Sequence, residues 1–127
     1  MIINLTQHPS TPEQTAAGVV DVVDLAYLAQ LLTFDSLPSR EDVEVRADMI
    51  ANFACEAELV DGSEEVQSAM IGGAPYLMAP LEAALLDRGI TPLYAFSVRE
   101  SIEETQPDGS VKKINVFRHE GFVGMPE

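Results

Sequence analysis

Ala69-Met70-Ile71-Gly72-Gly73-Ala74-Pro75-Tyr76-Leu77-Met78-Ala79-Pro80-Leu81-Glu82-Ala83-Ala84-Leu85-Leu86-Asp87-Arg88-Gly89-Ile90-Thr91-Pro92-Leu93-Tyr94-Ala95-Phe96-Ser97-Val98 reads as strand, helix, strand. A short apolar run ends in two glycines, a helix of good formers stops at Gly89, and a second run of aromatic and aliphatic residues follows. Two parallel strands joined in this way leave a crevice at their carboxyl ends. Gly72-Gly73 stands where backbone N–H groups would face an anion in that crevice. The pair lacks the third glycine and the spacing of a dinucleotide fingerprint, and a tight turn that needs positive φ also accounts for it. Pro80 cannot donate to the carbonyl of Tyr76, so the helix either kinks there or begins near Pro80.

Downstream, residues 99–105 and 111–119 are extended-looking segments on either side of Pro107-Asp108-Gly109, a turn sequence, and they predict a β-hairpin. The strand from Leu93 runs on into its first arm. The second arm joins the sheet antiparallel, as an edge, and Gly121-Phe122-Val123-Gly124-Met125-Pro126 forms a tail that packs against the body or a partner.

Upstream, Ile2-Ile3-Asn4-Leu5-Thr6 is a strand candidate, followed by the polar turn Gln7-His8-Pro9-Ser10. Thr11-Pro12-Glu13-Gln14 supplies an N-cap, a proline at the first helical position and a capping-box glutamine. That helix is short, because Gly18 and the β-branched pair Val19-Val20 follow. A second helix from Asp24 to about Phe34 places Leu25, Leu28, Leu31 and Leu32 on one face, until Ser36-Leu37-Pro38-Ser39 breaks it. Ser39, with Asp42 three residues on, caps a longer helix. Its apolar stripe is Val43, Ala47, Ile50, Ala54 and Ala57, widened by Met49 and Phe53, while Glu41, Glu44, Asp48, Glu56 and Glu58 form a solvated face.

These elements predict one domain over residues 1–127, an α/β sandwich. Four or five mostly parallel strands are covered by helices on both faces, Ile71, Leu85, Tyr94 and Phe96 are buried together, and the last strand is antiparallel. No apolar run approaches the length of a membrane span, and Met1-Ile2-Ile3-Asn4-Leu5 has no secretory pattern. The single cysteine, Cys55, excludes a disulfide framework and points to the cytoplasm. His8 and His119 are solitary, so neither a metal nor a cofactor is expected.

The net charge of −14 argues against general DNA or RNA binding, which needs a basic footprint. Its distribution is uneven. Residues 1–98 carry fifteen acids and three bases, whereas residues 99–127 carry six acids and four bases: Arg99, Lys112, Lys113 and Arg118.

Three strand ends converge on one rim in this reading. Gln7 and His8 follow the first strand, Gly72, Gly73 and Ala74 the next, and Ser97 and Arg99 end the one after. Backbone N–H groups, hydroxyls, an imidazole and a guanidinium suit a phosphate-bearing ligand. The binding residues are then Gln7, Gly72, Gly73, Ala74 and Ser97; if the ligand is cleaved, His8 is the general acid/base, and backbone N–H groups near Gly73 together with Arg99 stabilise the developing phosphate charge.

The first strand with its turn through Gln14, the run Gly72-Gly73-Ala74-Pro75-Tyr76-Leu77-Met78 and the run Gly89-Ile90-Thr91-Pro92-Leu93-Tyr94-Ala95 together resemble small single-domain CRISPR-associated proteins. Members of that group bind cyclic oligoadenylate second messengers, and some degrade them as ring nucleases in antiviral defence. The resemblance implies a Rossmann-like three-layer sandwich with a C-terminal antiparallel hairpin, a homodimer with the messenger across its two-fold axis, and metal-independent cleavage by a ribose 2′-hydroxyl. The long acidic third helix and the hairpin depart from the smallest members. The alternative is a protein without chemistry: a nucleotide sponge, or an acidic decoy that occupies a basic nucleic-acid-binding partner.

Overall fold

The computed structural model describes residues 1–124. Its elements are β1 (Ile2–Leu5), α1 (Pro12–Ala16), β2 (Val19–Val20), α2 (Leu25–Leu32), α3 (Arg40–Glu56), β3 (Ser68–Ile71), α4 (Pro75–Asp87), β4 (Thr91–Thr105) and β5 (Val111–Gly124). The strands form one mixed sheet in the order β2-β1-β3-β4-β5, parallel from β2 to β4 and antiparallel between β4 and β5.

Side-chain alternation divides the sheet into two unlike faces. Ile3, Leu5, Ala69 and Ile71 enter a core shared with Leu28, Leu31 and Leu32 of α2, Val43, Ala47, Ile50, Ala51 and Ala54 of α3, and Leu77, Leu81, Ala84 and Leu85 of α4. The opposite face carries Asn4, Met70 and Leu93 in register. Helical cover is therefore unequal. Three helices share the large core, whereas α1 buries none of its residues.

Caps set the helix ends. Thr11 and Ser39 each complete a capping box, with Gln14 and Asp42, and Asp24 accepts from the Tyr27 N–H at the start of α2. Arg46 of α3 closes the other end of α2: its Nη1 donates to the carbonyls of Gln30, Leu31 and Thr33 at 3.2, 3.0 and 2.8 Å, and its guanidinium lies 4.5 Å from the Phe34 ring centroid. A cation on the unpaired carbonyls of a helix C-terminus is favourable on both hydrogen-bond and dipole grounds. Helix α4 starts at Pro75 and runs through Pro80 without ending. Gly89, at φ +72°, stops it, with its N–H on the Leu86 carbonyl and the Ile90 N–H on that of Leu85.

Several expectations change. Val19-Val20 does not merely end a helix; it pairs with Ile2-Ile3 as an edge strand too short for periodicity to reveal. Met49 is 41% exposed, outside the α3 core stripe, and Ala57 is that helix's C-cap. Phe96 is 54% exposed, because β3 ends at Ile71 and β4 past Leu93 has β5 as its only sheet neighbour. Phe122, Val123 and Gly124 of the expected tail do pack on the body, but as the end of β5: they pair with Ala95, Tyr94 and Leu93. Met125 and Pro126 lie outside the described residues. Among the described residues no helix is long and apolar enough to cross a membrane.

Candidate functional site

From β1 the chain crosses through α1 to β2 on one side, and from β3 through α4 to β4 on the other, so the winding reverses between β1 and β3. Ligand crevices in open α/β sheets form outside the strand carboxyl ends at such a reversal. A cleft of about 500 Å³ lies there, walled by Thr6, Gln7, His8, Gly72 and Gly73, with Tyr94 and Ala95 of β4 along one side.

The turn that carries Gln7 and His8 is braced from behind by a fully bonded polar group. Asn4, 1% exposed, donates from Nδ2 to the His8 carbonyl at 2.8 Å and to Asp21 Oδ1 at 2.9 Å. Its Oδ1 accepts from the Thr6 N–H at 2.9 Å and the Thr6 hydroxyl at 2.7 Å. Asp21, just past β2, also accepts from the Ser10 N–H at 3.1 Å. A buried amide with all four bonds made is well tolerated in a core. Here it ties the carboxyl ends of β1 and β2 to the turn that carries Gln7 and His8. The backbone of that turn is thereby fixed while both side chains remain exposed.

On the facing wall, Gly73 has φ +141°, a conformation that side chains rarely adopt. Ala74 is the N-cap of α4 and gives it no side-chain hydrogen bond; Pro75 has no N–H and the Leu77 N–H donates to the Ala74 carbonyl at 3.0 Å, so of the first turn the Tyr76 N–H is the donor left for a ligand. Tyr94 lines the same cleft, and its hydroxyl donates to Glu82 of α4. Burial, then the hydrogen bond to Glu82 and its charge, push the phenol up to about 12. Tyr94 is therefore a protonated strut between β4 and α4 at neutral pH.

Gln7, His8, Gly72 and Gly73 are thus brought together, with Ala74 just behind them. Ser97 and Arg99 are not in the cleft wall. Strand β4 runs on through the first hairpin arm to Thr105, as expected, and this continuation carries Arg99 out along the hairpin, 6.0 Å from the Phe117 ring centroid. Ser97 pairs with His119, whose N–H donates to Glu13 of α1 at 3.0 Å. The sequence reading missed Asn4, Asp21 and Tyr94 as parts of the site. A lone amide inside the apolar run Ile2-Ile3-Asn4-Leu5 was the available signal for the first. Among the described residues no group of three or more His, Cys, Asp or Glu side chains is placed to hold a metal ion.

The arrangement defines a small mixed α/β protein with a cleft at the reversal of its sheet. The chain belongs to the Uncharacterized protein MJ1673 family, whose model matches residues 1–123. Neither a curated protein nor a solved structure matches it.

Proposed function

We propose that the cleft binds an adenine nucleotide carrying at least two phosphates, with a cyclic oligoadenylate messenger as the leading candidate, on a fold read as a Rossmann-like three-layer sandwich. The observation that carries this reading is the position of the cleft, at the winding reversal and beside an uncapped helix N-terminus with two glycines leading into it. The body's strong negative charge repels a polyanion at long range, so binding rests on local donors: the Gly72 and Gly73 N–H groups, the Tyr76 N–H in the first turn of α4 and the Gln7 amide. Tyr94, Ala95 and Met70 supply an apolar side against which a base packs.

If the bound messenger is cleaved, His8 is the group positioned to move the proton, since its backbone is held by Asn4 and its imidazole opens on the cleft. Arg99, which lies outside the cleft wall, is given no role in this reading. Calorimetry with linear and cyclic oligoadenylates tests the reading. Binding to at least one of them is expected, and His8→Ala should leave affinity largely intact while slowing any cleavage about 10²-fold or more. No affinity for any of these ligands would end it. The acidic body would then favour the decoy reading, tested by capture of a basic nucleic-acid-binding protein at low salt and its loss at high salt.

A further inference from the structure

Beyond Leu93 the hairpin leaves the sheet as a two-stranded ribbon, tied to the body near its base by Tyr94 on Glu82 and by the His119 N–H on Glu13. Nine cross-strand pairs, from Ser97↔His119 to Thr105↔Val111, extend it by roughly 30 Å. From Val98 to Thr105 and from Val111 to Arg118, the described side-chain hydrogen bonds and ion pairs stay within the ribbon. An isolated two-stranded hairpin is marginal in water and needs a third strand or a packed face.

One face is built to be covered. Pairing places Val98 beside Arg118, Glu100 beside Val116, Ile102 beside Ile114 and Glu104 beside Lys112, all on the same side. Val98 and Ile102 are 40% and 37% exposed. The charges are sorted by strand: residues 97–105 carry three acids and one base, residues 111–119 three bases and no acid. We infer that the occupant of this face is the same face of a second copy, with the two-fold axis running along the ribbons so that their tips lie together. This interface is independent of the ligand assigned to the cleft.

Charge selects both the partner and the axis. Residues 1–98 are strongly acidic in each copy, so body-to-body contact is opposed, and the near-neutral ribbon is where two copies meet at least cost. Two ways of stacking identical faces satisfy a two-fold. With the axis across the ribbons, acidic β4 lies on acidic β4 and basic β5 on basic β5. With the axis along them, β4 lies on the partner's β5: Ile102 meets the partner's Ile114 and Glu104 meets the partner's Lys112, each contact occurring twice. Arg118, already 2.9 Å from Glu100, is neutralised beside Val98. A face of this size buries several hundred Å² per copy, at the low end for a specific interface, so a dimer dissociating at micromolar concentration is expected.

Sedimentation velocity on the full chain from about 1 to 300 µM tests this. A monomer–dimer equilibrium is expected, and Ile102→Lys should abolish it while the thermal transition of the body is unchanged. Glu104→Lys and Lys112→Glu should each be monomeric alone. Their equimolar mixture should recover the dimer, because both inter-copy pairs then join opposite charges. A wild-type chain that stays monomeric throughout, a dimer that survives Ile102→Lys, or a mixture that fails to associate would each overturn the proposal.

Discussion

The body through Leu93 and the ribbon beyond it are made from the same residue types but obey different rules. In the body, strands of two to four residues are held by what lies above them: Ile3, Leu5, Leu77, Leu81 and Leu85 are fully buried. In the ribbon, strands of more than twice that length carry no buried residue past Leu93, and Phe117 is 72% exposed. Strand length is therefore no measure of stability here. The short strands are fixed by burial, and the long ones from Val98 outward by cross-strand pairs, each worth only a fraction of a kcal/mol to about 1 kcal/mol.

The sharpest break of this contrast is a matched pair of truncations. Leu81→Ala removes a fully buried side chain from the centre of α4 and should cost about 2–5 kcal/mol in urea unfolding. Ile102→Ala, measured below micromolar concentration, should change global unfolding by less than about 1 kcal/mol, since the ribbon opens independently of the core. Equal losses at the two sites would mean that ribbon and body unfold as one unit.

Next in size is Asn4, where the body departs from its own apolar rule. Asn4→Leu leaves the Thr6 N–H and part of the Asp21 carboxylate without partners and the His8 carbonyl with the Thr6 hydroxyl as its side-chain donor, and should cost about 1–3 kcal/mol. The loss should be accompanied by faster amide exchange at residues 7–10, which a simple packing defect under α3 would leave slow. Retained protection in that turn would show that Pro9 and the α1 cap hold it without Asn4.

Local signals in the sequence located most of the body. Thr11 and Ser39 announced their helices through capping boxes, Gly89 announced a stop, and Gly72-Gly73 marked the strand end that became the cleft wall. What was hidden depends on partners distant in sequence. Val19-Val20 is a strand only because β1 lies beside it, and Asn4 is a site residue only because Asp21 approaches from the next strand. Reading Arg99 as a rim residue sits against the other reading of the same stretch, that the strand from Leu93 runs on into the hairpin; pairing with β5 to Thr105 carries Arg99 away from the cleft. The hairpin turn at Pro107-Asp108-Gly109 was legible, and it carried the information that the strand had not yet ended.

The smallest expected effect falls at Tyr94, where body meets ribbon. Its phenol is pushed from 10.0 up to about 12 by burial and by Glu82, so the folded protein holds the proton more tightly than the unfolded chain does. A folded-state pKa above the unfolded one contributes stability that is fully present below pH 10 and is lost as pH rises from about 10 through about 12. Absorbance titration should therefore show one tyrosine ionising near pH 12, a phase absent from Tyr94→Phe. At neutral pH the same substitution removes one partly buried hydrogen bond and should cost about 0.5–1.5 kcal/mol, less if water reaches Glu82. Because Tyr94 leads into the ribbon, loosening it should also raise amide exchange from Ala95 to Val98 while the core of α4 stays protected. Unchanged exchange there would place the boundary between the two regions later in β4, at the irregularity between Phe96 and Ser97.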